Sequence, residues 1–292
     1  MTTSPEPGVT RRWPRRAALL AAAAVVAVLA VVAGSHLIGG DQAGPDGVAA
    51  PPTVPAAAPA GGAGPRCMAE LADAVAAASP DPVKTGRYAF VHSRWWGEDS
   101  SYSEQTGSAQ TLSTYESQRW RSDDGSGREY QIAIPDAPSR PDQTFHFTAG
   151  GMPGVAAEPI ATSPTVLAAQ LEVYGGQPGA GPAGMLRVVA DVYRYHFVPR
   201  DARVALLRVL AADVRGLRCA GAVTDRAGRA GLAVDAVSDV SRQRLIFDAF
   251  TGRLLAEEEL LLRNPPALQG QVPRVLSYWL FLAWDRVDGL PR

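Results

Sequence analysis

From Ala17 to Ile38 the sequence AALLAAAAVVAVLAVVAGSHLI carries no charge. As a helix at about 1.5 Å per residue it spans roughly 33 Å, enough to cross a bilayer core. Backbone polar groups in lipid must be satisfied within the segment, so a helix is the expected form. Arg11, Arg12, Arg15 and Arg16 precede it. Their positive charge places residues 1–16 on the cytoplasmic side, with Trp13 at the interface. A cleaved secretory signal fits the same stretch, with a small-residue site at Val31-Val32-Ala33, and Arg11-Arg12 hints at a twin-arginine signal. The apolar run is longer than an ordinary signal core, which favours a retained anchor over residues 17–38. Either reading exports the chain beyond residue 38.

Residues 39–66 are Gly, Ala and Pro with few charges. No core can form from that composition, and its prolines make it a semi-rigid tether. The rhythm changes at residue 67. CMAELADAVAAA over 67–78 places Met68, Leu71, Ala72 and Val75 on one helical face, and Ser79-Pro80-Asp81-Pro82 ends it. Strand patterning occurs at 87–96, 113–121 and 128–134, where Tyr130, Ile132 and Ile134 alternate. Ser163 and Pro164 start a helix that Gly175 stops. Helical spacing returns at 185–197 (Leu186, Val189, Val192, Tyr193) and 201–214 (Val204, Leu207, Leu210). Strands then recur at 217–224, 231–237, 244–248, 253–263 and 275–287, with hairpin loops at 225–229 and 249–252.

The order strands, helices, strands predicts an α+β domain over 67–292: an antiparallel curved sheet, as an open half-barrel, with helices on one face. About 225 residues suffice for one core.

Charge and composition narrow the function classes. The domain carries 22 arginines and one lysine against 26 acidic side chains. A net charge of −3 excludes a nucleic-acid binder, which needs a basic stripe. Lys84 is the chain's only lysine and sits in no phosphate loop. Cys67 and Cys219 form an even pair in an exported domain, which predicts one disulfide tying the first helix to the strand at Leu217. The alternative is two unpaired thiols. His36, His92, His146 and His196 show no metal-ligand spacing, so surface or capped histidines are expected, with no metal and no cofactor. Gly125-Ser126-Gly127 is a turn and not a nucleophile elbow. Asp123-Asp124 and Glu257-Glu258-Glu259 are paired carboxylates, expected as a solvated turn and as exposed positions of an edge strand. Trp95 and Trp96 are adjacent in a strand and therefore face opposite sides, one toward the core.

The run Arg203-Val204-Ala205-Leu206-Leu207-Arg208-Val209-Leu210-Ala211, then Val214-Arg215-Gly216 and Thr224-Asp225-Arg226-Ala227-Gly228-Arg229-Ala230-Gly231, continues through Leu245-Ile246-Phe247-Asp248 and Thr251-Gly252-Arg253-Leu254-Leu255. Upstream stand Gly86-Arg87-Tyr88, Trp120 with Asp123-Asp124-Gly125-Ser126, and Ser163-Pro164. Together they resemble a family of actinobacterial membrane-anchored proteins of unknown function, often encoded beside extracytoplasmic-function sigma factors. The likeness covers residues 70–263 and consists of turns and core positions, not catalytic groups. Members often carry a longer cytoplasmic segment than the 16 residues here. The architecture is similar to the half-barrel of lipoprotein carriers and of a periplasmic stress regulator, a likeness of fold alone.

The resemblance implies a non-catalytic binding or regulatory module outside the membrane, taking a lipid, a lipoprotein or a segment of a membrane regulatory protein and linked to envelope-stress signalling. Its ligand-binding residues are not assigned by the sequence. A structural envelope protein without a ligand is the alternative, and an envelope-polymer hydrolase ranks last, since no residue pattern supplies its catalytic groups.

Overall fold

The computed structural model describes residues 64–291 apart from 104–106, 136, 138–140, 155–158, 175–180, 213–214 and 265–270, with 64–65, 98–103, 107–112 and 174 described by backbone alone. The expected anchor at 17–38 lies outside the described residues, as do the cytoplasmic segment and the tether up to residue 63. Among the described residues no helix is long and apolar enough to cross a membrane.

The chain is α+β. Its helices are α1 (Gly64–Ala77), α2 (Pro164–Tyr174), α3 (Gly181–Tyr195) and α4 (Arg200–Ala212). Its strands are β1 (Tyr88–Ser103), β2 (Gly107–Ser122), β3 (Gly127–Ala133), β4 (Gln143–Phe147), β5 (Leu217–Thr224), β6 (Ala230–Val237), β7 (Ser241–Phe247), β8 (Leu254–Leu261) and β9 (Arg274–Val287). The nine strands make one curved, unclosed sheet in the order β4-β3-β2-β1-β9-β8-β7-β6-β5. Two antiparallel meanders, one on each side of helices α2–α4 in the chain, are thus joined along a β1–β9 seam.

Three details differ from the sequence expectation. α1 begins at Gly64, inside the stretch assigned to the tether. β4 is an additional strand, because its five residues QTFHF are too short for alternation to stand out and are mostly exposed. β1 and β2 run on beyond residue 96 and before residue 113; their Gly- and Ser-rich halves have weak strand propensity and are held by mutual pairing from Trp96↔Thr114 out to Ser103↔Gly107.

The largest core lies between the helices and one face of the sheet. Met68, Leu71, Ala72 and Val75 of α1, Leu186, Val189 and Val192 of α3 and Leu206, Leu207 and Leu210 of α4 pack there on Val234, Leu245, Phe247 and Phe281. Burying apolar area at about 25 cal/mol per Å² is the main force holding helices to sheet. α1 ends without a basic residue in its last turn. Arg200, at the start of α4, supplies that charge instead. Its guanidinium donates to the carbonyls of Val75 (3.1 Å), Ala76 (2.5 Å) and Ala78 (2.6 Å), satisfying acceptors that a helix end leaves open. Cys67 of α1 and Cys219 of β5 are bonded, with Cα atoms 6.2 Å apart. The predicted pairing is therefore present, and it clamps the first helix to the edge of the second meander.

Candidate functional site

Strand register sorts the central charges onto two faces. On the helix-covered face a row of directly opposed residues crosses six strands: Tyr115, Trp95, Trp279, Glu257, Leu245 and Val234. On the opposite face the matching row is Trp96, Tyr278, Glu258, Arg244, Asp235 and Arg218. The Glu257-Glu258-Glu259 run lies in β8, between β7 and β9. All three glutamates are buried. This overturns the expectation of an exposed edge strand. Each carboxylate tolerates burial because an arginine from elsewhere in the chain meets it.

On the helix side, Glu257 pairs with Arg194 of α3 and accepts from Gln243 Nε2 at 2.6 Å. Glu259 pairs with Arg187 of α3 at 2.9 Å. Arg194 also pairs with Asp191 and lies over the Trp279 ring, 4.5 Å from its centroid. Arg187, Asp191 and Arg194 are spaced four and three apart, so one helical stripe meets the alternate residues 257 and 259 of the strand. Further along the same face Arg119 donates through Nε (3.0 Å) and Nη2 (2.9 Å) to Glu129 Oε2, with Ser117 Oγ on the other carboxylate oxygen at 2.9 Å. The remaining Nη1 of Arg119 donates to the Arg194 carbonyl at 2.6 Å, placing positive charge at the C-terminal end of α3.

Burial dominates the electrostatics here. It pushes the Glu257 carboxyl up to about 7 against the pull of Arg194, with Asp191 and Glu259 adding to the rise. Glu259 is raised for the same first reason, with Arg187 opposing. Burial also lifts the Tyr115 hydroxyl to about 12, helped by the charge of Glu129. These groups brace α3 against the sheet, and none sits at a described opening.

A groove of about 360 Å³ opens beside the α3–α4 turn, between residues 80–84 and 197–201, with Val83, Lys84, Phe197 and Asp201 along it. Of its two carboxylates, Asp201 pairs with Arg200 at 3.4 Å, and Asp81 accepts from Arg203 Nη2 at 2.7 Å and Arg253 Nη2 at 3.2 Å. Burial acts upward on Asp81, but the two guanidiniums hold it below its ordinary value. Arg203, itself buried, also donates to the carbonyls of Thr251 (2.8 Å) and Val198 (3.1 Å). The groove floor is thus a three-way brace between the post-α1 loop, α4 and the β7–β8 turn.

The other sequence candidates fall apart spatially. Trp95 and Trp96 do face opposite sides, Trp96 fully buried and stacked on Tyr278 at 5.3 Å. His92 meets Glu116 at 2.9 Å, His146 is exposed on β4, and His196 is buried beside Gly154. Among the described residues no three His, Cys, Asp or Glu side chains gather as a metal site. Asp124 accepts from Ser126 N (2.8 Å) and Oγ (2.6 Å), so Asp123-Asp124-Gly125-Ser126 is a self-bonded turn. Sequence reasoning misses the Arg187/Arg194 stripe; the signal for it is charged residues recurring at helical spacing beside an otherwise apolar face.

No family model matches the sequence, and no curated protein is similar to it.

Proposed function

We propose that the chain is a membrane-tethered module outside the cytoplasmic membrane that recognises a protein partner and serves regulation, and that it carries no acyl chain inside. The observation that supports this reading is the filling of the space between α3 and the sheet. A carrier of the half-barrel type needs that space hollow and apolar. Here it holds the Arg194–Glu257 and Arg187–Glu259 pairs and the Trp279 ring. An acyl tail in that place would strip these charges of their partners, at a cost of several kcal/mol for each.

The Cys67–Cys219 bond is consistent with export to an oxidising compartment. The resemblance to sigma-factor-associated membrane proteins supports a regulatory role. A surface suited to a partner is the β4 edge, whose residues are mostly exposed and which ends the sheet with Phe145 alongside Phe147. An extended partner segment adds to such an edge through main-chain hydrogen bonds.

The test uses the full-length chain in its own membrane, carrying a photocrosslinking residue in place of Phe145, with native mass spectrometry of the purified protein as the second step. One reproducible protein adduct and no stoichiometric acyl species are expected. A stoichiometric acyl species overturns the reading, and so does the lack of any protein adduct.

A further inference from the structure

On the face away from the helices, β6, β7 and β8 carry Asp235, Arg244, Arg242 and Glu258, and the β5–β6 turn adds Arg226. That turn is pinned over this face by Arg229, whose guanidinium donates to the carbonyls of Phe281 (2.7 Å) and Leu255 (2.8 Å). Arg244 directs its side-on fork at Asp235, Nε to Oδ1 at 2.7 Å and Nη2 to Oδ2 at 2.8 Å. Both oxygens of Asp235 are thereby engaged. Arg226 takes Glu258 at 2.7 Å.

Arg242 is left over. It stands two residues from Arg244 on the same side of β7, and its nearest carboxylate oxygen, on Asp235, is 3.9 Å from its Nε. Its Nε and Nη2 are shielded from solvent and have no hydrogen-bond partner among the described residues. Those two nitrogens are the same fork that Arg244 uses. The Nη2 of Arg226 is unpartnered and shielded in the same way. Arg226, Arg242 and Arg244 therefore share two carboxylates, and buried donors without acceptors are unfavourable. A guanidinium fork matches the spacing of two oxygens on one planar or tetrahedral anion. Leu260 stands directly opposite Arg242 on β8, and the apolar Ile246, Ala233 and Ala256 lie beyond Arg244 on the same face. The Arg242 side chain keeps 12% of its surface exposed, so it borders solvent although Nε and Nη2 are themselves shielded.

We infer that Arg242, with Arg226 beside it, forms a binding site for one oxyanion group, a carboxylate or a phosphate, on the helix-free face of the sheet. Burial and then the neighbouring Arg244 push Arg242 below its ordinary pKa, with Asp235 and Glu258 opposing. The site is independent of the partner reading above and stands or falls separately.

The test is a titration of the purified full-length chain in detergent with sodium acetate in one arm and sodium phosphate in the other, against sodium chloride at matched ionic strength. The readout is thermal stability, with calorimetric heats as a second measure. A saturable response to either oxyanion is expected, and whichever arm saturates at lower concentration assigns the group. Arg242→Gln weakens that response at least about tenfold, while Arg208→Gln, at an exposed pair with Asp73 on α4, leaves it unchanged. If Arg242→Gln does not fold, Arg242→Lys keeps the charge without the fork and shows the same loss. Equal responses in the wild type and the Arg242 variant that folds, or no response beyond chloride, overturn the site.

Discussion

Glu257 of β8 and Arg194 of α3 are 63 residues apart in sequence and form an ion pair in which both side chains are largely buried. The pair joins the second meander to a helix that comes after the first. It is therefore a tertiary lock and not a local contact.

Removing one partner should leave a buried charge without compensation. Arg194→Met is expected to lower stability by about 3 kcal/mol at pH 8, where Glu257 is ionised, and Glu257→Gln, which mimics the protonated carboxyl, by clearly less. The double variant should lose clearly less than the sum, by more than about 1 kcal/mol. Urea unfolding of the four proteins in the cycle measures this, and simple additivity would show that the pair contributes nothing as a pair.

The same carboxyl sets a pH dependence. Folding raises Glu257 from an ordinary 4.5 to about 7. The folded chain then holds a proton that the unfolded chain has released, so stability rises as pH falls from about 7 to about 4.5. Glu259 is displaced in the same direction. Glu116 runs the other way: burial raises it, but Arg94 and His92 hold it below its ordinary value, so its contribution fades as pH falls below the carboxylate range. The expected outcome is a stability maximum near pH 5, with a melting temperature higher at pH 5.5 than at pH 8. Glu257→Gln should flatten that slope. Equal wild-type melting temperatures at the two pH values would refute the assignment.

The Cys67–Cys219 bond closes a separation of 152 residues. Loop entropy gives it at most roughly 5 kcal/mol. Cys67→Ser with Cys219→Ser should lower the denaturant midpoint without altering the far-ultraviolet dichroism of the native state. The reduced wild type should match the double variant; a midpoint unchanged on reduction would mean the thiols are not bonded in the protein.

Gly252 closes the β7–β8 turn at φ +65°. A Cβ there would lie 2.9 Å from Val75 Cγ2 and 3.1 Å from Leu207 Cδ1, since the turn packs on α1 and α4. Gly252→Ala is expected to cost about 2 kcal/mol from backbone strain and crowding together. Gly228, at φ +80° with open space around its Cβ position, should lose less on the same change, about 1 kcal/mol. Thermal melts of the two variants decide the order.

Much of the fold is readable from local patterns. Ser163-Pro164 marks the start of α2, and the Ser163 carbonyl accepts from Leu167 N at 2.9 Å. Asp225 and Asp248 mark hairpins because each carboxylate holds its own turn. Asp225 Oδ1 accepts from Ala227 N and Arg229 N, and Asp248 Oδ1 from Phe250 N and Thr251 N. Glu257-Glu258-Glu259 misleads because charge alone suggests solvent. Its burial depends on Arg187, Arg194 and Arg226, residues from a helix and a turn whose approach is fixed by tertiary packing. The free fork of Arg242 is invisible in sequence for the same reason: only register shows that Arg244, not Arg242, faces Asp235.

The β1–β9 seam has a consequence for how the protein is made. Its partners are as far apart as Tyr88 and Val287, yet β1 and β9 lie at the middle of the sheet. Until residues 274–287 have emerged, β1 and β8 each present an open hydrogen-bonding edge. The seam edge of the first meander therefore stays open while α2–α4 and β5–β8 are synthesised. A late-closing sheet leaves those two edges open to wrong pairing until the last strand arrives.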